Sequence, residues 1–114
     1  MRRRTLRWPE TEGAEELGGR SAVARGGETS AARYGREIHK TFDYGPGFER
    51  EVRLPSGRRA DAVNFETREI VELKPNNPRA IALGQRQVAR YADELNREFP
   101  GRPFSTRVET YERP

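Results

Sequence analysis

Three residues in this sequence have types and spacing that could do chemistry together: Asp61, and further along the chain Glu72 and Lys74 in the run Glu72-Leu73-Lys74. Phosphodiester hydrolysis needs a water that can lose a proton, a counter-charge for the phosphorane, and a positioned donor. A divalent cation held by carboxylates beside a lysine supplies all three. Two carboxylates about 4 Å apart repel by roughly 4 kcal/mol at an effective dielectric near 20, which favours a bound cation or a raised pKa. The plainer reading is an exposed cross-strand ion pair of Lys74 with Asp61 or Glu72, worth about 0 to 1 kcal/mol. That pair would leave one acid uncompensated. Of the 22 basic residues only Lys40 and Lys74 are lysine, so a lysine here fits a need for a compact, titratable ammonium that arginine would not meet.

Alternation places these groups on strands. Arg59 to Phe65 alternates in period two, with Asp61, Val63 and Phe65 on one face and Ala60, Ala62 and Asn64 on the other. After a turn around Glu66 to Arg68, Glu69 to Lys74 sets Ile70, Glu72 and Lys74 on a face opposite Val71 and Leu73. A register with Val63 opposite Glu72 and Asp61 opposite Lys74 brings the three groups to one face; a slip of one residue scatters them.

The flanking elements follow. Thr29 or Ser30 can cap a helix to about Phe42, with Ala31, Tyr34, Ile38 and Phe42 as its apolar stripe and Glu37 on the flank. Gly45-Pro46-Gly47 breaks the chain, Phe48 to Leu54 reads as a strand, and Pro55-Ser56-Gly57 as a tight reversal. Pro78 to Phe99 is the clearest helix, with Ile81, Val88, Tyr91, Ala92, Leu95 and Phe99 in one stripe and Arg86, Arg90 and Arg97 on another face. Phe104 to Tyr111 alternates as an edge strand. Residues 1–28, rich in arginine, glutamate and glycine, read as a flexible arm or linker, leaving 29–114 as the working domain.

Bulk properties narrow the function. A chain of 114 residues suits one domain with a modest core, at 32% hydrophobic and 35% charged residues. With no cysteine, any metal must use oxygen or the lone His39. His39, with no second histidine beside it, reads as an exposed helix residue. No run approaches the roughly 18 apolar residues of a membrane span. A net charge of +4 and a pI near 9.9 favour a polyanionic partner.

The order αβββαβ, an acid beginning one strand, Glu-x-Lys in the next and a helix after it resembles the PD-(D/E)XK, or restriction-endonuclease-like, nucleases over about Ser30 to Tyr111. The stretches Val71-Glu72-Leu73-Lys74-Pro75 and Gly84-Gln85-Arg86-Gln87-Val88 look most like nuclease toxin domains carried at the C-termini of bacterial polymorphic toxins. Ala60 stands where the motif has proline. The resemblance implies an α/β (α+β) fold with a central mixed sheet flanked by helices. It implies Asp61, Glu72, the Leu73 carbonyl and Glu37 around Mg²⁺ or Mn²⁺, with Lys74 on water or phosphate. Gln87 or Gln85 would be the polar helix residue, and Arg86 and Arg90 would bind nucleic acid. It further implies cleavage of DNA in preference to RNA, a cognate immunity protein, and delivery into a target cell's cytoplasm within a larger toxin. An RNA or tRNA nuclease, and a nonenzymatic nucleic-acid-binding module, are the alternatives.

Overall fold

The computed structural model describes residues 28–113; the arm expected over residues 1–28 lies, but for Glu28, outside them. The element order is α1 (Ser30–Thr41), β1 (Glu49–Arg53), β2 (Arg59–Asn64), β3 (Glu69–Pro75), α2 (Pro78–Glu98) and β4 (Ser105–Tyr111). The αβββαβ order expected from the sequence is therefore the order found. The sheet runs β1-β2-β3-β4, antiparallel at its first two junctions and parallel between β3 and β4.

Local chemistry sets the ends of these elements. The Thr29 hydroxyl accepts from the Ala32 amide and caps α1, and the Asn77 side chain accepts from the Ala80 amide and caps α2 just before Pro78. The β1–β2 turn uses Gly57 at φ 96°. In the β2–β3 turn the Asn64 side chain accepts from the amides of Glu66 and Thr67, and Arg68 sits at φ 60°. Arg68 then donates to the carbonyls of Phe99 and Arg102 and covers the Phe104 ring, tying the end of α2 to this turn.

The sheet separates two apolar clusters. On the α2 side Val52, Leu54, Ala60, Val63 and Ile70 pack with Val88, Tyr91, Ala92 and Leu95; on the α1 side Ala62, Val71 and Leu73 pack with Tyr44, Ile38 and Phe42. Each fully buried Leu, Ile or Val side chain contributes about 1.5 to 3 kcal/mol. Arg50 fixes the end of α1 by donating to the carbonyls of His39, Lys40 and Phe42 while lying over the Tyr44 ring.

Alternation fails at one level of the sheet. Ala60 belongs to the α2-side cluster and Ala62 to the α1-side cluster, although a regular strand would put both on one side. Their partners on β1 behave alike: Val52 pairs with Ala60 and Arg50 with Ala62. Between them, opposite Asp61, stands Glu51 at φ 48°, a conformation uncommon for a residue with a Cβ. The sheet is wrenched at the level of Asp61, and the β2–β3 ladder ends there: its pairs are Asn64 with Glu69, Val63 with Ile70 and Ala62 with Val71. The expected register, Val63 opposite Glu72, is corrected by two residues. The turn anchored by Asn64 and Arg68 sets the offset, and a shift of two leaves side-chain parity unchanged.

Candidate active site

Beyond the last ladder pair, two carboxylates take the place of backbone partners. The Asp61 amide donates to Glu72 Oε1 at 2.9 Å, and the Leu73 amide donates to Asp61 Oδ2 at 2.8 Å. The acids thus enter the gap between β2 and β3 from opposite strands, each held by the other strand's backbone. Glu72 is buried at 4% exposure, where a carboxylate needs such partners.

This corrects the expectation of one shared face. Asp61 and Glu72 point into the gap, whereas Lys74 lies toward α2, its Cγ against Gly84. A Cβ on Gly84 would stand 3.0 Å from Lys74 Cγ and 3.2 Å from both Val108 methyls, so glycine there lets the lysine stem lie flat against the helix. Among the described residues Lys74 forms no ion pair, so the cross-strand pair with Asp61 or Glu72 is not what occupies it.

His39, expected as an exposed helix residue and not as a general base, is instead half-buried against the sheet. Its Nε2 lies 3.1 Å from the Leu73 carbonyl oxygen and 3.3 Å from Asp61 Oδ2, while Nδ1 lies 2.8 Å from the Gly35 carbonyl. Both ring nitrogens face acceptors, an arrangement satisfied fully only by the doubly protonated imidazolium. Burial alone would lower its pKa, but the hydrogen bond and charge of Asp61, with the two carbonyls, outweigh burial and raise it to about 9. A raised pKa adds stability that is complete below the unfolded value near 6.5 and is lost as pH rises through about 9. In chelator, the thermal midpoint of the wild-type protein is expected to fall between those two pH values. His39→Gln is expected to flatten that slope in a calorimetric pH series.

Glu37 does not join the cluster. It is exposed, and two residues along a helix from His39 means about 200° of rotation, so α1 presents the histidine to the sheet and turns the glutamate away. Gly35 lies one helical turn before His39 and offers its carbonyl to Nδ1, while a Cβ at Gly35 would meet the Tyr111 hydroxyl. Gln87 is half-buried on α2, and its Oε1 is buried without a hydrogen-bond partner among the described residues. Gln85 is exposed. Arg86 and Arg90 are exposed on α2. The phenol of Tyr44, among the α1-side residues, is held protonated by burial and by the negative charge of Asp61.

Oxygen donors from Asp61, Glu72 and the Leu73 carbonyl have the hard character that Mg²⁺ or Mn²⁺ requires. Two of them, Asp61 Oδ2 and the Leu73 carbonyl oxygen, already converge on a single point, where the His39 N–H now sits. Among the described residues no group of three or more His, Asp or Glu side chains is gathered as a metal site.

The profile of the family described as restriction endonuclease fold toxin 9 matches residues 27–111. The chain belongs to that family. The match spans every element from α1 to β4, and the four-stranded mixed sheet with its two helices is an α+β arrangement consistent with the restriction endonuclease fold. No curated protein and no solved structure matches the chain. Membership in a family of restriction endonuclease fold toxins makes this a nuclease-type toxin domain, for which nucleic acid is the substrate. No helix among the described residues is long and apolar enough to cross a membrane.

Proposed function

We propose that this toxin domain is a divalent-cation-dependent endonuclease acting on DNA, with Asp61, Glu72 and the Leu73 carbonyl as the cation's donors and Lys74 as the group on the scissile phosphate. The observation that carries the reading is the gap at the end of β2 and β3. There each of two carboxylates accepts a backbone N–H from the opposite strand, and a lysine stands on the next residue but one of β3.

In the reaction water adds to phosphorus and one P–O ester bond breaks, leaving an alcohol and a phosphate monoester. A hard divalent cation at this point supplies charge neutralisation and makes water more acidic. The chain's own groups do the rest. The Leu73 and Asp61 amides hold the two carboxylates in place, so little reorganisation is needed when charge develops. Lys74, its stem steadied on Gly84, directs its ammonium to a nonbridging phosphate oxygen or to the attacking water. The buried Gln87 Oε1, which lacks a donor, is suited to accept from that ammonium. His39 takes the place of Glu37 as the α1 contribution. Its ring occupies the point shared by Asp61 and Leu73, where it orients the Asp61 carboxylate.

In the cell, the domain would act as the toxic tip of a larger secreted protein, reach a target cell's cytoplasm, and be restrained in the producing cell by an immunity protein acidic toward this basic chain. The test incubates the purified protein with plasmid DNA, single-stranded DNA and tRNA, each in Mg²⁺, Mn²⁺ or chelator. Cleavage of DNA that depends on the cation is expected. Cleavage of tRNA alone would replace the DNA reading, and salt-sensitive binding without cleavage would establish a nonenzymatic module.

A further inference from the structure

A second concave region lies close to the reaction centre. A cleft of about 510 Å³ opens between the β1–β2 turn at Pro55 and Ser56 and the later turns of α2, and Arg58, Arg90, Asp93, Arg97 and Glu98 line it. Glu94 forms its floor, buried and accepting from the Ser56 amide at 3.1 Å, which fastens helix to turn and gives the cleft a fixed wall. Arg58 precedes Asp61 by three residues, and the chain between them enters an extended strand, so the Arg58 edge of the cleft lies within roughly 10 Å of Asp61. That distance corresponds to about one to three nucleotides along a strand.

The lining carries both signs. A track for bare phosphates would be expected to exclude carboxylates, yet Asp93 and Glu98 stand among the arginines. A nucleotide needs both kinds of group: arginine for its phosphate and for acceptors on a purine edge, carboxylate for its amino and imino N–H donors. Guanine matches this set best, since N1–H and N2–H₂ are neighbouring donors for one carboxylate and O6 and N7 are neighbouring acceptors for one guanidinium. Thymine presents carbonyl oxygens on either side of a single N–H, which carboxylates repel.

We infer that this cleft is a base-reading subsite that receives a guanine nucleotide turned out of the stack near the scissile bond, with Asp93 and Glu98 on the base and Arg90 and Arg97 on phosphate or the purine acceptors. The inference rests on the nuclease reading and gives it a sequence preference. Arg90 thereby acts beside the reaction centre as part of a pocket, and α2 serves two purposes: its inner face holds the core and Lys74, its flank reads the substrate.

The experiment maps cleavage positions of the wild-type protein on single-stranded and duplex DNA pools with randomised bases in Mg²⁺, by sequencing fragment ends. At a fixed position within about three nucleotides of the cut, guanine is expected over thymine by about tenfold or more, most strongly in the single-stranded pool. Asp93→Asn with Glu98→Gln is expected to reduce that ratio to about twofold, and Arg90→Gln with Arg97→Gln to raise KM about tenfold. These residues are surface positions on α2, and circular dichroism of each variant checks that the fold is retained. Cleavage without base preference, or a preference that survives the acidic pair's replacement, overturns the subsite and leaves the nuclease reading standing. Absence of any cleavage overturns both.

Discussion

Lys74→Ala is expected to lower cleavage by about 10²- to 10³-fold in kcat and to leave the thermal midpoint nearly unchanged. The size follows from the task assigned to the ammonium, which is to meet charge that develops only as water attacks phosphorus. Stability should be spared because Lys74 is only half-buried and forms no ion pair among the described residues. Lys74→Arg should recover little, because a planar fork cannot replace a compact ammonium resting against Gly84. Steady-state kinetics and a melting curve on the same preparations check both halves of the expectation. Activity within about threefold of wild type would remove Lys74 from the reaction.

Asp61→Ala should behave differently and lose both properties. Its carboxylate accepts from the Leu73 amide and faces the His39 ring, so its removal strands a backbone donor in the gap and leaves the imidazolium without its counter-charge. A stranded donor and a broken, partly buried pair together cost about 2 to 4 kcal/mol. Cleavage should fall by at least about 10³-fold, since one of the cation's carboxylates is gone. Denaturant unfolding at pH 6 separates the stability loss from the catalytic one, and Asp61→Asn, which can still accept from the Leu73 amide but carries no counter-charge, should restore part of the stability and none of the activity.

The contrast between these two residues reflects what the sequence could and could not disclose. Period-two alternation located β2 and β3, and the Glu-x-Lys spacing marked one acid and one lysine as candidates, because those signals are local. The register was misread by two residues because it is set by a turn that Asn64 and a left-handed Arg68 stabilise, and a conformation at φ 60° leaves no mark on composition. The same holds for Glu51 at φ 48°, whose strain lies opposite Asp61 where both strands switch sides. Alternation carried through that point predicted one catalytic face; the wrench instead turns the acids into a gap between strands. On α1 the apolar stripe of Ile38 and Phe42 was legible, but which polar neighbour rides inward with it was not. A lone histidine carries no pattern, and only the packing of α1 over Leu73 shows that His39, and not Glu37, meets Asp61.

The most direct test of the central claim is a calorimetric titration of Mn²⁺ into the wild-type protein, Asp61→Asn, Glu72→Gln and Glu37→Gln at pH 8. One saturable site is expected in the wild type and in Glu37→Gln, with affinity lowered by about tenfold or more in the Asp61 and Glu72 variants. Equal affinity in all four proteins, or a loss confined to Glu37→Gln, would contradict an account in which the gap between β2 and β3 is where the cation binds.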